Sequence, residues 1–281
     1  MLTGFFFYPI LTSMRFTRKK ITRFVLVLAS LYVIIGVIIY FIQDILLFHP
    51  KPLSKEHKYA FTLPFEEINL PVEERNLNII QFKPDSAAKG VVLYFHGNMK
   101  NIERYASITP LFTSEGYEIW MMDYPGFGKS TGKRTEVNIY SDAATLYGLA
   151  LKKFSADQVI IYGRSIGTGP ASHLASKQTF KKLILETPYY SIDALAKNYF
   201  PIYPVQLLSK YSFPVGDHLK NVKSEVYLIH GTDDEVVPYS QSQKIKKENT
   251  SVHLISIKDG KHNNLAEFEL FRITIRKLLY E

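Results

Sequence analysis

The chain has 281 residues, with 34 Lys and Arg against 26 Asp and Glu for a formal charge of +8, and 46% of its residues are hydrophobic. It contains no cysteine, which excludes thiol catalysis and disulfides. Half of the mild excess charge lies in the first fifty positions, five basic residues against the single Asp44, which suits an anionic membrane surface better than nucleic acid, for which no motif is present.

Met14 opens a basic stretch as Met1 does not, so the start of the protein is open between the two. Arg15, Arg18, Lys19, Lys20 and Arg23 come next with no acidic residue among them. Phe24 to Ile42 then runs nineteen residues without a charge. As a helix it would span about 29 Å, matching a bilayer core of about 30 Å. It is too long for the apolar region of a signal peptide, and no small-x-small cleavage site follows. The spacing predicts a transmembrane helix over 24–43. The basic residues before it place residues 1–23 in the cytoplasm and the rest of the chain outside it. Residues 44–66 read as a Pro-interrupted connector, and 67–281 as a single domain of ordinary size.

Two antiparallel strands are expected near Glu67–Val72 and Leu77–Phe82. From Lys89 onward apolar runs alternate with helical stretches near 101–115, 136–153, 166–177, 239–248 and 263–280. That alternation predicts an α/β fold, a mostly parallel sheet with helices on both faces. Gly90–Phe95 is a buried central strand that ends in His96-Gly97-Asn98-Met99-Lys100-Asn101, where His96 is expected to anchor the loop. Glu118–Met122 is the next strand. The segment Gly126-Phe127-Gly128-Lys129-Ser130 ends like a phosphate-binding loop, but the glycine such a loop needs at 123 is Asp123. It reads as a structural turn.

After the apolar run Val159–Tyr162 comes Gly163-Arg164-Ser165-Ile166-Gly167, a serine flanked by glycines before a helix. This is the pattern of a nucleophile elbow, a sharp strand-to-helix turn with serine at the apex. Leu183–Leu185 is a further strand, closed by Glu186. About forty residues rich in Tyr and Phe separate it from the strand Val226–His230, and their position and size suggest a short helical lid at 189–224. Gly231-Thr232-Asp233-Asp234 follows, then the strand Val252–Ile257 and the loop Lys258-Asp259-Gly260-Lys261-His262.

A serine hydroxyl is a poor nucleophile at neutral pH and needs an imidazole to take its proton. The imidazole in turn needs a carboxylate to hold its tautomer. Ser165 and His262 fit the first two roles, each just past the carboxyl end of a strand, where open parallel sheets bind ligands. Asp233 and Asp234 both fit the third, with one of them expected to cap the helix near Tyr239, and Glu186 is the alternative acid. Backbone N–H groups of Asn98 and Ile166 would cradle the developing oxyanion. The histidines do not cluster with carboxylates at metal spacing, so no metal and no cofactor is expected.

The strings at 94–98, 123–130, 163–169, 230–238 and 260–263 together resemble the α/β-hydrolase superfamily. The branch resembled is the membrane-anchored serine hydrolases akin to the budding-emergence-like and α/β-hydrolase-domain proteins. The resemblance runs from about Asp44 to the C-terminus. It implies the α/β-hydrolase fold and a Ser165-Asp234-His262 triad, because in that family the acid is the fourth residue after the strand-ending histidine. It also implies ester or thioester hydrolysis, with substrates that include lysophospholipids and acylated proteins. Lys261 departs from the small residue that relatives often carry there. Two other readings stand beside it: a serine peptidase on the same fold, and a catalytically inactive membrane scaffold.

Overall fold

The computed structural model describes residues 17–280; Met1, Met14 and Arg15 lie outside them. A helix of 30 residues, α1 (Arg18–Leu47), contains the uncharged stretch and extends it at both ends. The helix is thus longer than the segment expected to span the membrane. Arg18, Lys19, Lys20 and Arg23 are good helix formers, and no residue after Ile42 stops the helix before Pro50. Among the described residues it is the helix long and apolar enough to cross a membrane by length and composition, with a mean hydropathy of 2.9 over its most apolar window. By contacts the chain divides after Ile42.

The unit from Gln43 onward is built on a sheet of eight strands. They are β1 (Phe65–Val72), β2 (Arg75–Phe82), β3 (Gly90–Phe95), β4 (Tyr117–Met122), β5 (Val159–Arg164), β6 (Lys182–Glu186), β7 (Glu225–Gly231) and β8 (His253–Ile257). Their spatial order is β8-β7-β6-β5-β3-β4-β2-β1, with β2 antiparallel to both β1 and β4 and every other pair parallel. Central strands covered on both faces are apolar at every position, and β3 is buried throughout. Val91, Leu93 and Phe95 enter one core with Ile161, Leu183 and Leu185. Val92 and Tyr94 enter the other with Ile160, Tyr162 and Ile184. Each fully buried aliphatic side chain of this kind contributes about 1.5–3 kcal/mol.

One face is covered by α2 (Glu136–Ala150) and α3 (Thr168–Ala175), the other by the segment 102–113 and the C-terminal helix. Thr135 starts α2 by accepting the N–H of Asn138. The helix expected over 101–115 is instead three short pieces, Ile102–Tyr105, Ala106–Ile108 and Pro110–Thr113. Pro110 has no N–H to give the preceding turn, so the helix restarts there. The lid region holds three short helices, α4 (Ile192–Tyr199), α5 (Val205–Leu208) and α6 (Val215–Leu219). The chain ends through α7 (Ser240–Glu248) and α8 (Glu269–Tyr280).

The expected connector at 44–66 is part of the packed unit, which begins at Gln43 and not at residue 67. His49–Pro50 pairs in parallel with Met99–Lys100. Phe48 and Tyr59 are buried in the cores. An isolated aromatic residue in a Pro-interrupted segment gives no periodic signal, so this packing was invisible to pattern reading.

Candidate active site

β5 runs straight into Ser165, whose φ of +53 is a left-handed conformation that few side chains adopt. Such strain persists only where the surroundings enforce it. Here the enforcement is steric. A Cβ on Gly167 would lie 2.1 Å from the Phe95 carbonyl oxygen in β3, and one on Gly163 would lie 2.6 Å from the Gly167 carbonyl oxygen. Backbone cannot yield to such contacts, so only glycine lets the turn sit this close to its neighbours. The turn holds Ser165 up at the carboxyl edge of the sheet, and α3 begins at Thr168.

Two other strand ends supply the partners. Asp234 follows β7 and His262 follows β8. The two loops are bound to each other: the Thr232 N–H donates to Ile257 O (3.0 Å) and the Asp233 N–H to Gly260 O (3.0 Å). A Cβ on Gly231 would lie 2.1 Å from Gly260 O, so this closeness also needs glycine. His262 Nδ1 donates to Asp234 Oδ2 at 2.8 Å, which leaves Nε2 to face Ser165 Oγ at 3.0 Å. Asp234 and His262 are buried.

Asp234 accepts four hydrogen bonds. Oδ1 takes the N–H groups of Val236 (2.9 Å) and Val237 (2.8 Å). Oδ2 takes His262 Nδ1 and also His230 Nε2, at 3.1 Å. Burial alone would push this carboxyl up; the bonds from His230, His262 and the Val237 N–H outweigh it and hold the group well below the ordinary carboxylate range. Asp234 therefore stays ionised and acceptor-only at neutral pH, which suits it to fix an imidazole tautomer.

His230 went unnoticed as a site residue. Fully buried, it faces Ser242 Oγ through Nδ1 (2.7 Å) and Val237 O through Nε2 (2.9 Å). Because Nε2 faces two acceptors, Asp234 Oδ2 and Val237 O, it donates to them. Its signal was the four-residue spacing to Asp234. Arg164 was also missed, and it sits at a position of the elbow pattern that any residue can fill. Its Nε lies 3.1 Å from Glu186 Oε1, and its outer nitrogen reaches His262 O (3.4 Å) and Asn263 Oδ1 (3.3 Å). Glu186 also accepts the Tyr162 hydroxyl at 2.6 Å. Its two oxygens thus face Tyr162 and Arg164, and neither is bonded to His262.

Asp233 is exposed and accepts the Thr232 hydroxyl at 3.1 Å. Neither aspartate caps α7, whose flank at Tyr239 has no side-chain cap; the turn stabilised by capping is Val236–Val237, and Asp234 does it. Lys261 is exposed, with its N–H donating to Asn264 Oδ1 at 2.8 Å.

The loop after β3 is firmly held. Asn98 O accepts the His49 N–H (2.9 Å), and Asn98 Nδ2 donates to Leu47 O (3.0 Å). Among the described residues, no loop or side-chain hydrogen bond takes the N–H of Asn98 or of Ile166 as its donor. His96 is fully buried; Nδ1 donates to Gly97 O (2.7 Å), and Nε2 lies 3.2 Å from Asp123 Oδ1. Burial pushes the Asp123 carboxyl up against the opposing pull of His96. His96 is an anchor of the loop. From the lid, the Tyr189 hydroxyl donates to Ile166 O at 3.2 Å. Tyr189, Tyr211 and Phe213 are all buried, packed in the core beneath the lid. No group of three or more His, Cys, Asp or Glu that could hold a metal occurs among the described residues.

A hydroxyl on a strained turn, an imidazole facing it and an ionised carboxylate behind that ring are the arrangement that acyl transfer through a serine requires. Residues 86–213 match the family model described as "Serine aminopeptidase, S33". The chain is 32% identical over 178 residues to the Caenorhabditis elegans alpha/beta hydrolase domain-containing protein aho-3, covering 62% of this chain and 52% of that protein. It is 36% identical over 160 residues to the human alpha/beta hydrolase domain-containing protein 17B, covering 54% and 53%. The chain thus spans about half the length of the curated relatives it matches. Its fold matches the Pyrococcus furiosus esterase Pf2001 with a TM-score of 0.64 at 18% identity, over 83% of this chain and 97% of that one. In sequence the chain is similar to serine hydrolases and alpha/beta hydrolase domain-containing proteins over part of its length, and its fold is the α/β-hydrolase fold.

Proposed function

We propose that the protein is a membrane-anchored serine hydrolase that cleaves carboxylic ester or thioester bonds of lipid-like or acylated substrates. The observation that carries this reading is the continuous contact from Ser165 Oγ through His262 to Asp234, at the apex of a strained turn. Ser165 attacks the substrate carbonyl as its proton passes to His262 Nε2. Asp234 holds the other ring nitrogen protonated and stabilises the imidazolium. The N–H groups of Asn98 and Ile166 stabilise the oxyanion; losing one such donor typically lowers turnover by about 10²–10³. His262 then returns the proton to the leaving oxygen or sulfur, an acyl-enzyme forms, and water resolves it by the same steps.

The anchor in this reading is the Phe24–Ile42 part of α1, with the basic residues before it on the cytoplasmic side and the hydrolase domain outside. Its length and composition support the span, and its exposed apolar side chains are what a lipid-facing helix carries. A second reading, a serine peptidase with the same three residues, is favoured by the description of the family model that 86–213 matches. Purified protein assayed on p-nitrophenyl esters of graded chain length, beside aminoacyl p-nitroanilides, separates the two. Ester turnover that rises with chain length supports the acyl hydrolase, and turnover confined to the anilides overturns it. No turnover of either, together with no fluorophosphonate labelling, points to an inactive scaffold.

A further inference from the structure

The lid carries large apolar side chains on its surface: Tyr199 on α4 is 60% exposed and Leu207 on α5 is 84% exposed. Val236, in the loop that holds Asp234, is 43% exposed. The Tyr199 hydroxyl donates to Val236 O at 3.4 Å, which sets the end of α4 beside the acid loop, and α4 packs against α5. Side chains of this size are left in water at a cost, and contiguous exposure of them marks an interaction surface.

What covers this surface follows from how α5 is held. Gln43 clasps the chain at the end of that helix: its Nε2 donates to Leu208 O (2.7 Å) and its Oε1 accepts the Lys210 N–H (2.8 Å). Asp44 accepts Lys210 Nζ (3.1 Å) and the Tyr211 hydroxyl (2.6 Å). Phe48 packs edge-on against the Tyr211 ring, 5.0 Å between centroids. Gln43 and Asp44 are the two residues directly after Ile42, the end of the uncharged stretch. A helix that crosses a bilayer carries its last apolar residue to the edge of the hydrocarbon. At about 1.5 Å per residue, Gln43 and Asp44 lie within about 3 Å of that edge along the helix. Whatever is bonded to them lies there as well. Leu207 is the residue next to Leu208.

We infer that the face formed by Tyr199, Leu207 and Val236 docks into the interfacial layer of the bilayer that α1 crosses. This rests on the span proposed above, and it narrows the substrate class. The acyl chain of the ester would be one seated in the same membrane, reaching Ser165 past the lid without passing through water. Leu and Tyr suit this layer, since Leu enters the acyl boundary and Tyr keeps its hydroxyl at the headgroups.

The absence of cysteine makes the test direct, because one introduced thiol labels one place. Full-length Leu207→Cys is labelled with an environment-sensitive nitrobenzoxadiazole probe in phosphatidylcholine–phosphatidylserine vesicles and titrated with lipids that carry a nitroxide near the headgroup. Asp157→Cys, exposed before β5 at the opposite edge of the sheet, is the reference. The Leu207 probe loses most of its emission and the Asp157 probe keeps its own. The double variant Tyr199→Glu/Leu207→Glu lowers the ratio of bilayer-embedded to short soluble ester hydrolysis about tenfold or more. Equal quenching at both sites in protein that survives an alkaline carbonate wash overturns the docking face and leaves the span standing; the face is then open to a protein partner. Release by the wash overturns the span and the face together. Fluorophosphonate labelling of the same vesicles scores the Ser165 reading separately.

Discussion

Asp234→Asn changes one atom and removes the feature on which the proposed chemistry depends. The carboxylate accepts four hydrogen bonds, two from backbone N–H groups and two from imidazoles. An asparagine has one carbonyl oxygen and one NH₂ group. The Val236 and Val237 N–H groups are held by the local turn, so the oxygen stays with them and the NH₂ turns to the histidines. A donor facing His262 Nδ1 forces that nitrogen to accept, and the ring proton moves to Nε2, pointing at Ser165 Oγ. The ring can then no longer take the serine proton. In triad enzymes the same change lowers turnover roughly ten-thousand-fold, with the geometry kept. At about 1.36 kcal/mol per decade this is about 5.5 kcal/mol of transition-state stabilisation. Steady-state hydrolysis of p-nitrophenyl acetate, with circular dichroism to verify folding, gives the answer. The expected result is a fall in kcat with little change in KM. A variant within tenfold of the native rate, or an equal loss in Asp233→Asn, would refute the assignment of the acid.

His230→Ala removes one of the four bonds to Asp234 and leaves Ser242 and the Val237 carbonyl without their buried partner. Stability should fall by about 1–3 kcal/mol in a urea melt, with turnover reduced far less than in Asp234→Asn. Gly167→Ala places a methyl 2.1 Å from the Phe95 carbonyl oxygen; the variant should be unfolded or inactive, and a native-like melt with full activity would contradict the steric reading of the turn. Acid should act through Asp234. Its folded-state pKa lies below the unfolded value of about 3.9, so its contribution to stability is complete above about pH 4 and is lost as the pH falls further. The difference in Tm between native protein and Asp234→Asn should therefore close below about pH 4, and a gap that widens there would give the shift the wrong sign.

Much of the architecture was legible because the physics behind it is local. β3 and β5 are apolar at successive positions since both faces of the sheet are covered, and Gly163 and Gly167 announce a turn that tolerates no side chain. The proposed triad residues lie in loops that follow parallel strands, so chain order alone brings them to one edge. What was not legible depends on tertiary contact. His230 read as the end of a strand, and only the fold shows that its ring turns back onto Asp234. Phe48, between a helix and a proline, has no periodicity to betray its burial. Asp233 and Asp234 are chemically equal in the sequence; they differ because one faces solvent and the other receives two backbone N–H groups and two imidazoles. Nothing in the sequence separates one lid aromatic from another, yet Tyr189 and Phe213 are buried and Tyr199 is exposed.

The proposal that Ser165 is an activated nucleophile is open to a single decisive measurement. Full-length protein in vesicles is treated with a fluorophosphonate, digested, and the modified residue located by mass spectrometry, beside Ser165→Ala treated in the same way. The expected outcome is one stoichiometric adduct on Ser165, none in the variant, and hydrolysis in the variant near a millionth of the native turnover, the level left when a triad serine is removed. Native protein that takes up no label, or an adduct that persists elsewhere in Ser165→Ala with activity retained, would contradict it.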